Sequence, residues 1–187
     1  MVFFTRRFEE DIATELRKVA SNACIWSNAE AKLLLGSMLP GSQYAESLWR
    51  MERGALFDLG PHVLAILLPV LGDVTSVRAY RERGAVTRLH LCHSDDQTSD
   101  VAVGLHSGPE QQCESYCFSG QGGNAMLTVK KDSGHSQMAF AKAISSLIES
   151  IKTGEVHPCD IHFGLRILQI ILAAEKSLAL GKTIKVD

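Results

Sequence analysis

Gly54-Ala-Leu-Phe-Asp58-Leu-Gly-Pro-His62-Val-Leu-Ala-Ile-Leu-Leu-Pro-Val-Leu-Gly72 sets an aspartate and a histidine four residues apart on an otherwise apolar run. The run reads as one helix over 54–71, closed by Gly72. Four residues is about one helical turn, so the carboxylate and the imidazole are expected on the same face. Side chains so placed can work together or merely satisfy each other, and the rest of the helix surface wants burial.

Working outward, the periodicity changes from helical to alternating. Val74 to Glu82, Ala85 to His93, Ser99 to His106, Gln112 to Ser119 and Ala125 to Lys130 read as strands. Turn material divides them: Gly84, the Ser94-Asp-Asp-Gln-Thr98 cluster, Ser107-Gly-Pro109 and Gly120-Gln-Gly-Gly-Asn124. Connections this short imply an antiparallel meander, because parallel neighbours need crossovers of a dozen or more residues. Upstream, Val2 to Arg7 reads as a short strand. Glu9 to Ala20 reads as an amphipathic helix with acids first and Arg17 and Lys18 last, and Ala23 to Leu35 as a strand or two before the Pro40-Gly41 turn. Downstream, helices are expected over Gln137 to Lys152 and Asp160 to Leu180, with Asp160 as N-cap and Gly181 as the stop, and Thr183 to Val186 as a last strand. The sum is an α+β fold: a mostly antiparallel open sheet with helices packed on one face. In the strands Val101-Ala-Val103-Gly-Leu105 and Cys113-Glu-Ser115-Tyr-Cys117, one parity carries few charges, so a homodimer through the open sheet face is expected.

At 187 residues, 45% hydrophobic and 21% charged, the chain is expected to form one domain over 1–187, without internal repeats or a linker. A net charge of -2 with scattered Lys and Arg excludes the basic stripe that nucleic acid requires. The apolar run Val63 to Leu71 contains Pro69 and falls short of the roughly 20 residues that span a bilayer; Arg6, Arg7 and Glu9 stand where a signal peptide would be apolar. No membrane partner and a cytoplasmic location are therefore expected. Cys24, Cys92, Cys113, Cys117 and Cys159 are odd in number and lack a C-x-x-C pair, which suits reduced, mostly buried thiols.

At Asp58 and His62 the sequence resembles the C-terminal domain of the glucose-fructose oxidoreductase and inositol dehydrogenase family (Gfo/Idh/MocA). Val2-Phe-Phe-Thr-Arg-Arg-Phe8 looks like the first strand after that family's nucleotide domain, and Gly54-x3-Asp58-x-Gly60-x-His62 like its catalytic helix. Val77-Arg-Ala79, the Gly120-x-Gly-Gly123-x-Ala-x-Leu127 hairpin, and Leu165 through Ser177, Gly181 and Val186 match later landmarks, so the likeness covers essentially the entire chain. It implies the substrate-side and oligomerisation domain of an NAD(P)-dependent oxidoreductase acting on a sugar- or cyclitol-like alcohol. His62 would take the hydroxyl proton, and Asp58 would orient the histidine or the substrate. NAD or NADP is implied for the full-length family, but no cofactor is expected on this chain alone. No Gly-x-Gly-x-x-Gly follows a strand and opens a helix here, and the family's Glu-Lys-Pro motif has no counterpart. The Rossmann domain is thus expected to be absent, and catalysis by this chain alone is not expected. Two departures stand out: Glu52-Arg53-Gly54 replaces a glycine-rich entry, and Ala65 stands where many relatives carry a second aspartate.

Trp49-Arg50 precedes the helix and is a candidate, with Tyr44, to line the same substrate cleft for a small polyol or sugar; the plainer reading is an aromatic packed beneath a loop. His90, Cys92, His93 and His106 contain zinc-ligand types, but alternation puts His93 on the opposite face from His90 and Cys92, so no metal site is expected. Cys113 and Cys117 share a face about 13 Å apart, too far for a disulfide. Ser107-Gly-Pro and Ser133-Gly-His135 lack the strand-turn-helix setting of a hydrolase nucleophile. The rival to the oxidoreductase reading is a stand-alone, non-catalytic binding or scaffolding protein derived from such a domain.

Overall fold

The computed structural model of the protein describes residues 1–22, 25–82, 85–129 and 135–187. Cys24, the turn at Gly84, the strand end at Lys130 and the Ser133-Gly134 pair lie outside the described residues. The helices are α1 (Glu10–Ala20), α2 (Leu48–Asp58), α3 (Gly60–Leu71), α4 (His135–Thr153) and α5 (Ile161–Leu180). The strands are β1 (Trp26–Leu34), β2 (Val74–Arg81), β3 (Thr87–His93), β4 (Thr98–Gly104), β5 (Cys113–Gly120), β6 (Gly123–Thr128) and β7 (Ile184–Lys185).

The strands form one open sheet in the order β6-β5-β1-β4-β3-β2-β7, in which β1–β4 is parallel and the other pairings are antiparallel. The α+β class and the mostly antiparallel sheet are as expected; the simple meander is not. β1 lies between β4 and β5, pairing Ala31 with Val101 on one side and with Tyr116 on the other. Short loops limit how far a strand can travel, but they do not exclude an earlier strand from entering the gap. Ala29, Ala31 and Leu33 of β1, Val101 and Val103 of β4, Leu89 and Leu91 of β3, and Tyr116 and Phe118 of β5 are all buried on the face that the helices cover.

Residues of the opposite parity form the open face: Glu30, Lys32, Arg78, Arg88, His90 and Asp100, among small polar residues. Lys32 pairs with Glu30 and Arg88 with Glu82, both at 2.7 Å, and His90 Nδ1 is hydrogen-bonded to Asp100 at 2.9 Å. Cys92, Cys113 and Cys117 are half-buried on this face, and among the described residues only Cys159 is a buried cysteine, which corrects the expectation of mostly buried thiols. The small size of a cysteine does not decide which parity it occupies.

Two other expectations change. Val2 to Arg7 is not a strand but an extended segment closing in a 3-10 turn at Thr5–Arg7, because its Val2 N–H bonds the Cys159 carbonyl rather than a sheet edge. The helix expected over 54–71 is two helices that meet at Leu59 (φ -106°), with a kink inside the first at Gly54 (φ 66°, ψ -170°). Such a φ is open to glycine and strained for other residues. Leu48–Leu71 is long and apolar enough, by composition, to cross a bilayer, yet 67% of its apolar window is buried inside the protein and the stretch is bent twice. It is the central core element, lying on β1 and β4 and against α5. α5 starts and stops as its sequence predicts: Asp160 Oδ1 accepts from the Phe163 N–H at 2.7 Å, and Gly181 closes it in the left-handed region.

Candidate functional site

The elbow between α2 and α3 decides how Asp58 and His62 meet. Asp58 is the last residue of α2 and His62 lies in the first turn of α3, so the junction at Leu59, itself in the right-handed helical region, falls between them. Pro61 favours the start of α3, since its missing N–H would have no partner there. Gly60 lets the elbow press onto α5: a Cβ there would lie 2.6 Å from Ile171 Cδ1.

Asp58 is held by Arg50, whose Nε–H donates to Oδ2 at 2.8 Å while its guanidinium carbon lies 4.3 Å from the Tyr44 ring centre. The kink at Gly54 lies between these partners. Tyr44, Arg50 and Asp58 thus form one stacked, charge-paired group. Trp49 is half exposed beside the exposed Leu48 and Met51, outside that group. Among the described residues no hydrogen bond joins Asp58 to His62, and none reaches the His62 ring from any protein group.

His62 is half-buried, edge-on to Phe4 with ring centres 6.3 Å apart, and Phe4 is in turn edge-on to Phe163 of α5. Burial pushes its pKa below the ordinary imidazole value; Asp58 and Glu114 pull it back up, and Arg6 pushes it down. The imidazole is therefore neutral near pH 7, with a ring nitrogen free to accept a proton.

The charges behind it were not anticipated from sequence. Arg6 donates from Nε and Nη2 to Glu114 of β5 (3.0 and 2.7 Å) and also pairs with Glu9; the fully buried Tyr116 hydroxyl donates to Glu114 at 2.9 Å. Burial alone would lower the Arg6 pKa, but Glu114 and Glu9 more than offset it. Burial, then Glu114, pushes Tyr116 well above its ordinary value. Arg7 donates to the Ala65 carbonyl at 3.1 Å, fixing the N-terminal segment onto α3 one turn beyond His62. A double-arginine segment beside an acidic strand residue, 108 positions away, carries no short-range sequence signal.

The cavities lie elsewhere. One of about 620 Å³ sits between α1, β6 and α4; one of about 340 Å³ is lined by Arg50, Arg53, Arg81, His106 and Glu175 behind the kink. Neither is lined by Asp58 or His62, which are both half-buried. His90 and Cys92 share the open sheet face while His93 points into the core, and among the described residues no three metal-ligating side chains converge.

No protein-family model matches the sequence, and no curated protein matches it significantly. Solved structures do match in fold. An oxidoreductase from Agrobacterium radiobacter, in complex with NAD+, L-tartaric acid and magnesium, is 20% identical over 100% of this chain and 64% of its own, with a TM-score of 0.73. Myo-inositol 2-dehydrogenase from Lactobacillus plantarum is 16% identical over 98% of this chain and 64% of its own (TM-score 0.77). Levoglucosan dehydrogenase, in complex with NADH and levoglucosan, is 14% identical over 100% and 65% (TM-score 0.79). The chain thus has the α+β fold found in oxidoreductases of the Gfo/Idh/MocA type, and it spans just under two thirds of the length of these structures.

The glycine-rich turn at 120–123 is not built as a phosphate-binding loop. The glycine-rich Gly120–Gly123 stretch closes the β5–β6 hairpin instead of opening a helix, and a Cβ at Gly120 would lie 1.9 Å from the Ile25 carbonyl oxygen.

Proposed function

We propose that this chain is the substrate-side and oligomerisation domain of an NAD(P)-dependent oxidoreductase acting on a sugar- or cyclitol-like alcohol, and that it does not complete the reaction alone. The observation that carries the reading is His62: a desolvated, neutral imidazole whose ring meets no hydrogen-bonding group among the described residues, beside a carboxylate. An imidazole in that state can accept a hydroxyl proton, and Asp58 nearby favours the imidazolium that results. Tyr44 and Arg50 line the approach; Arg50 holds Asp58 so that it faces the elbow with a fixed oxygen. The hydride acceptor belongs to another domain, since the glycine turn here closes a hairpin instead of opening a helix. The open sheet face, with its alternating charges, is the surface proposed for a homodimer.

The test is a melting measurement with myo-inositol and a panel of hexoses. A polyol that raises the Tm of the wild type and not of His62→Ala supports the reading; no shift with any polyol, or an equal shift in both proteins, sinks it. Size-exclusion chromatography with light scattering tests the dimer, and a strict monomer rules it out.

The second reading is a non-catalytic binding or scaffolding protein. It is favoured by the pairing of Asp58 with Arg50 instead of His62, an arrangement that a purely structural elbow would keep.

A further inference from the structure

An arginine stands where the covered face of the sheet calls for an apolar residue. In β2, Val77 and Ala79 are buried on that face, and Arg81 follows on the same parity, in register with the buried Thr87 of β3. The carboxylate next to it in sequence, Glu82, belongs to the opposite parity and is paired with Arg88 at 2.7 Å. Among the described residues the Arg81 side chain has no hydrogen bond and no ion pair. It lines the cavity of about 340 Å³ between α2, the ends of β2 and β4, and α5.

Arg53 lines the same cavity and comes from the Glu52-Arg53-Gly54 entry, whose charges the candidate site does not use. Its guanidinium carbon lies 4.0 Å from the centre of the Phe57 ring. Stacking of this kind holds the fork flat and leaves its N–H edge free. Its carboxylate neighbour, Glu175, is 3.6 Å away with both side chains half exposed, so that pair is weak. Arg50 is also in the lining, but its Nε–H is already donated to Asp58.

We propose that this cavity is a second binding site, for a small hydroxylated phosphate ester; it does not rest on the function proposed for His62. Charge selects the anion, because the lining holds three guanidinium groups, of Arg50, Arg53 and Arg81, against two carboxylates, of Glu52 and Glu175. A phosphate dianion offers three acceptor oxygens to the forks of Arg53 and Arg81, which suit bidentate contact. The carboxylates select the hydroxyls. Glu52 and Glu175 only accept hydrogen bonds, so a ligand anionic throughout is repelled there, whereas sugar-like hydroxyls can donate to them. Size limits the ligand: 340 Å³ lies near the lower end of small-molecule sites, about 300–1,000 Å³, and suits a monosaccharide phosphate but not a nucleic-acid strand.

Isothermal titration calorimetry of the full chain at constant ionic strength, with glucose 6-phosphate, inorganic phosphate, succinate and glucose, tests this. Glucose 6-phosphate should bind saturably and more tightly than the other three. Arg53→Gln with Arg81→Gln, both at exposed positions, should weaken it by about tenfold or more, as expected for loss of a charge-assisted hydrogen bond. Arg88→Gln, on the open sheet face, should leave the affinity unchanged. By NMR the ring signals of His106, which lines the cavity, should move during the titration while those of His90 stay in place. No saturable binding, inorganic phosphate or succinate binding as tightly as the ester, or equal affinity in the double variant overturns the proposal. Loss of ester binding in His62→Ala also overturns it, since the ligand would then sit at the elbow. If the ester binds as expected while no polyol shifts the Tm, the reading of His62 fails and this site stands.

Discussion

The two ends of helix α3 each carry a histidine beside them, and the two are treated in opposite ways. At the C-terminal end His93 is 3% exposed, its Nδ1–H donating to the Gly72 carbonyl at 3.0 Å and its Nε2 accepting from the Ser99 hydroxyl at 2.9 Å. At the N-terminal end His62 is half-buried between Phe4 and the elbow, with no protein hydrogen bond on its ring among the described residues. Burial lowers both pKa values, so titration direction does not tell them apart. The hydrogen bonds do. A buried imidazole with both nitrogens used is a structural tie, whereas one with a spare nitrogen can meet a ligand.

The strongest way to break this comparison is to remove each ring in turn. His93→Leu orphans the buried Gly72 carbonyl and Ser99 hydroxyl and should cost about 2–4 kcal/mol, lowering Tm by roughly 10 °C. His62→Leu, which orphans nothing, should cost under about 1 kcal/mol. Calorimetry that finds equal losses would erase the distinction.

Next in size is the kink that brings Arg50 to Asp58. Gly54→Ala forces a side chain into a backbone region it avoids and should cost about 1–3 kcal/mol. Gly108, with φ -62° and open space around its Cβ position, is the control, and Gly108→Ala should be neutral or slightly stabilising. Urea denaturation that shows the two substitutions to be alike would mean the kink stores no strain.

Much of this was legible in the sequence, for reasons visible in particular residues. Asp160 and Gly181 bounded α5 correctly because caps act locally, and alternation located β2 through β6 because burial follows the pleat. Asp58, His62, Arg50 and Tyr44 do gather around one elbow. What escaped was set by contacts distant in sequence. Nothing near Ala31 says that Val101 and Tyr116 flank it, and nothing near Arg6 names Glu114. The break at Leu59 escaped because a proline two residues on was read as part of one continuous helix instead of as the first turn of a new one.

The electrostatic surroundings of His62 can be tested with opposite signs. Asp58→Asn removes a charge that raises its pKa, so the titration midpoint followed by NMR should move further down. Arg6→Met removes a charge that lowers it and leaves Glu114 uncompensated, so the midpoint should move up. Shifts in the same direction would mean the elbow rearranges in one of the variants.

The smallest expected effect is on stability against pH. His62 and His93 titrate below the ordinary imidazole value of about 6.5 in the folded protein, as does the more exposed His157, so the unfolded chain binds more protons below that pH. Their contribution is therefore complete above about pH 6.5 and is lost as pH falls toward the folded pKa values. Tm should decline from pH 7.5 to 5.5, and the decline should flatten in His62→Gln and in His93→Leu. Because both His93 nitrogens are hydrogen-bonded while the His62 ring makes no hydrogen bond among the described residues, protonating His93 also breaks its bond with Ser99 or forces the hydroxyl to turn. The flattening should therefore be greater for His93→Leu, and a greater flattening in His62→Gln would reverse the assignment of which histidine is the tie and which the site.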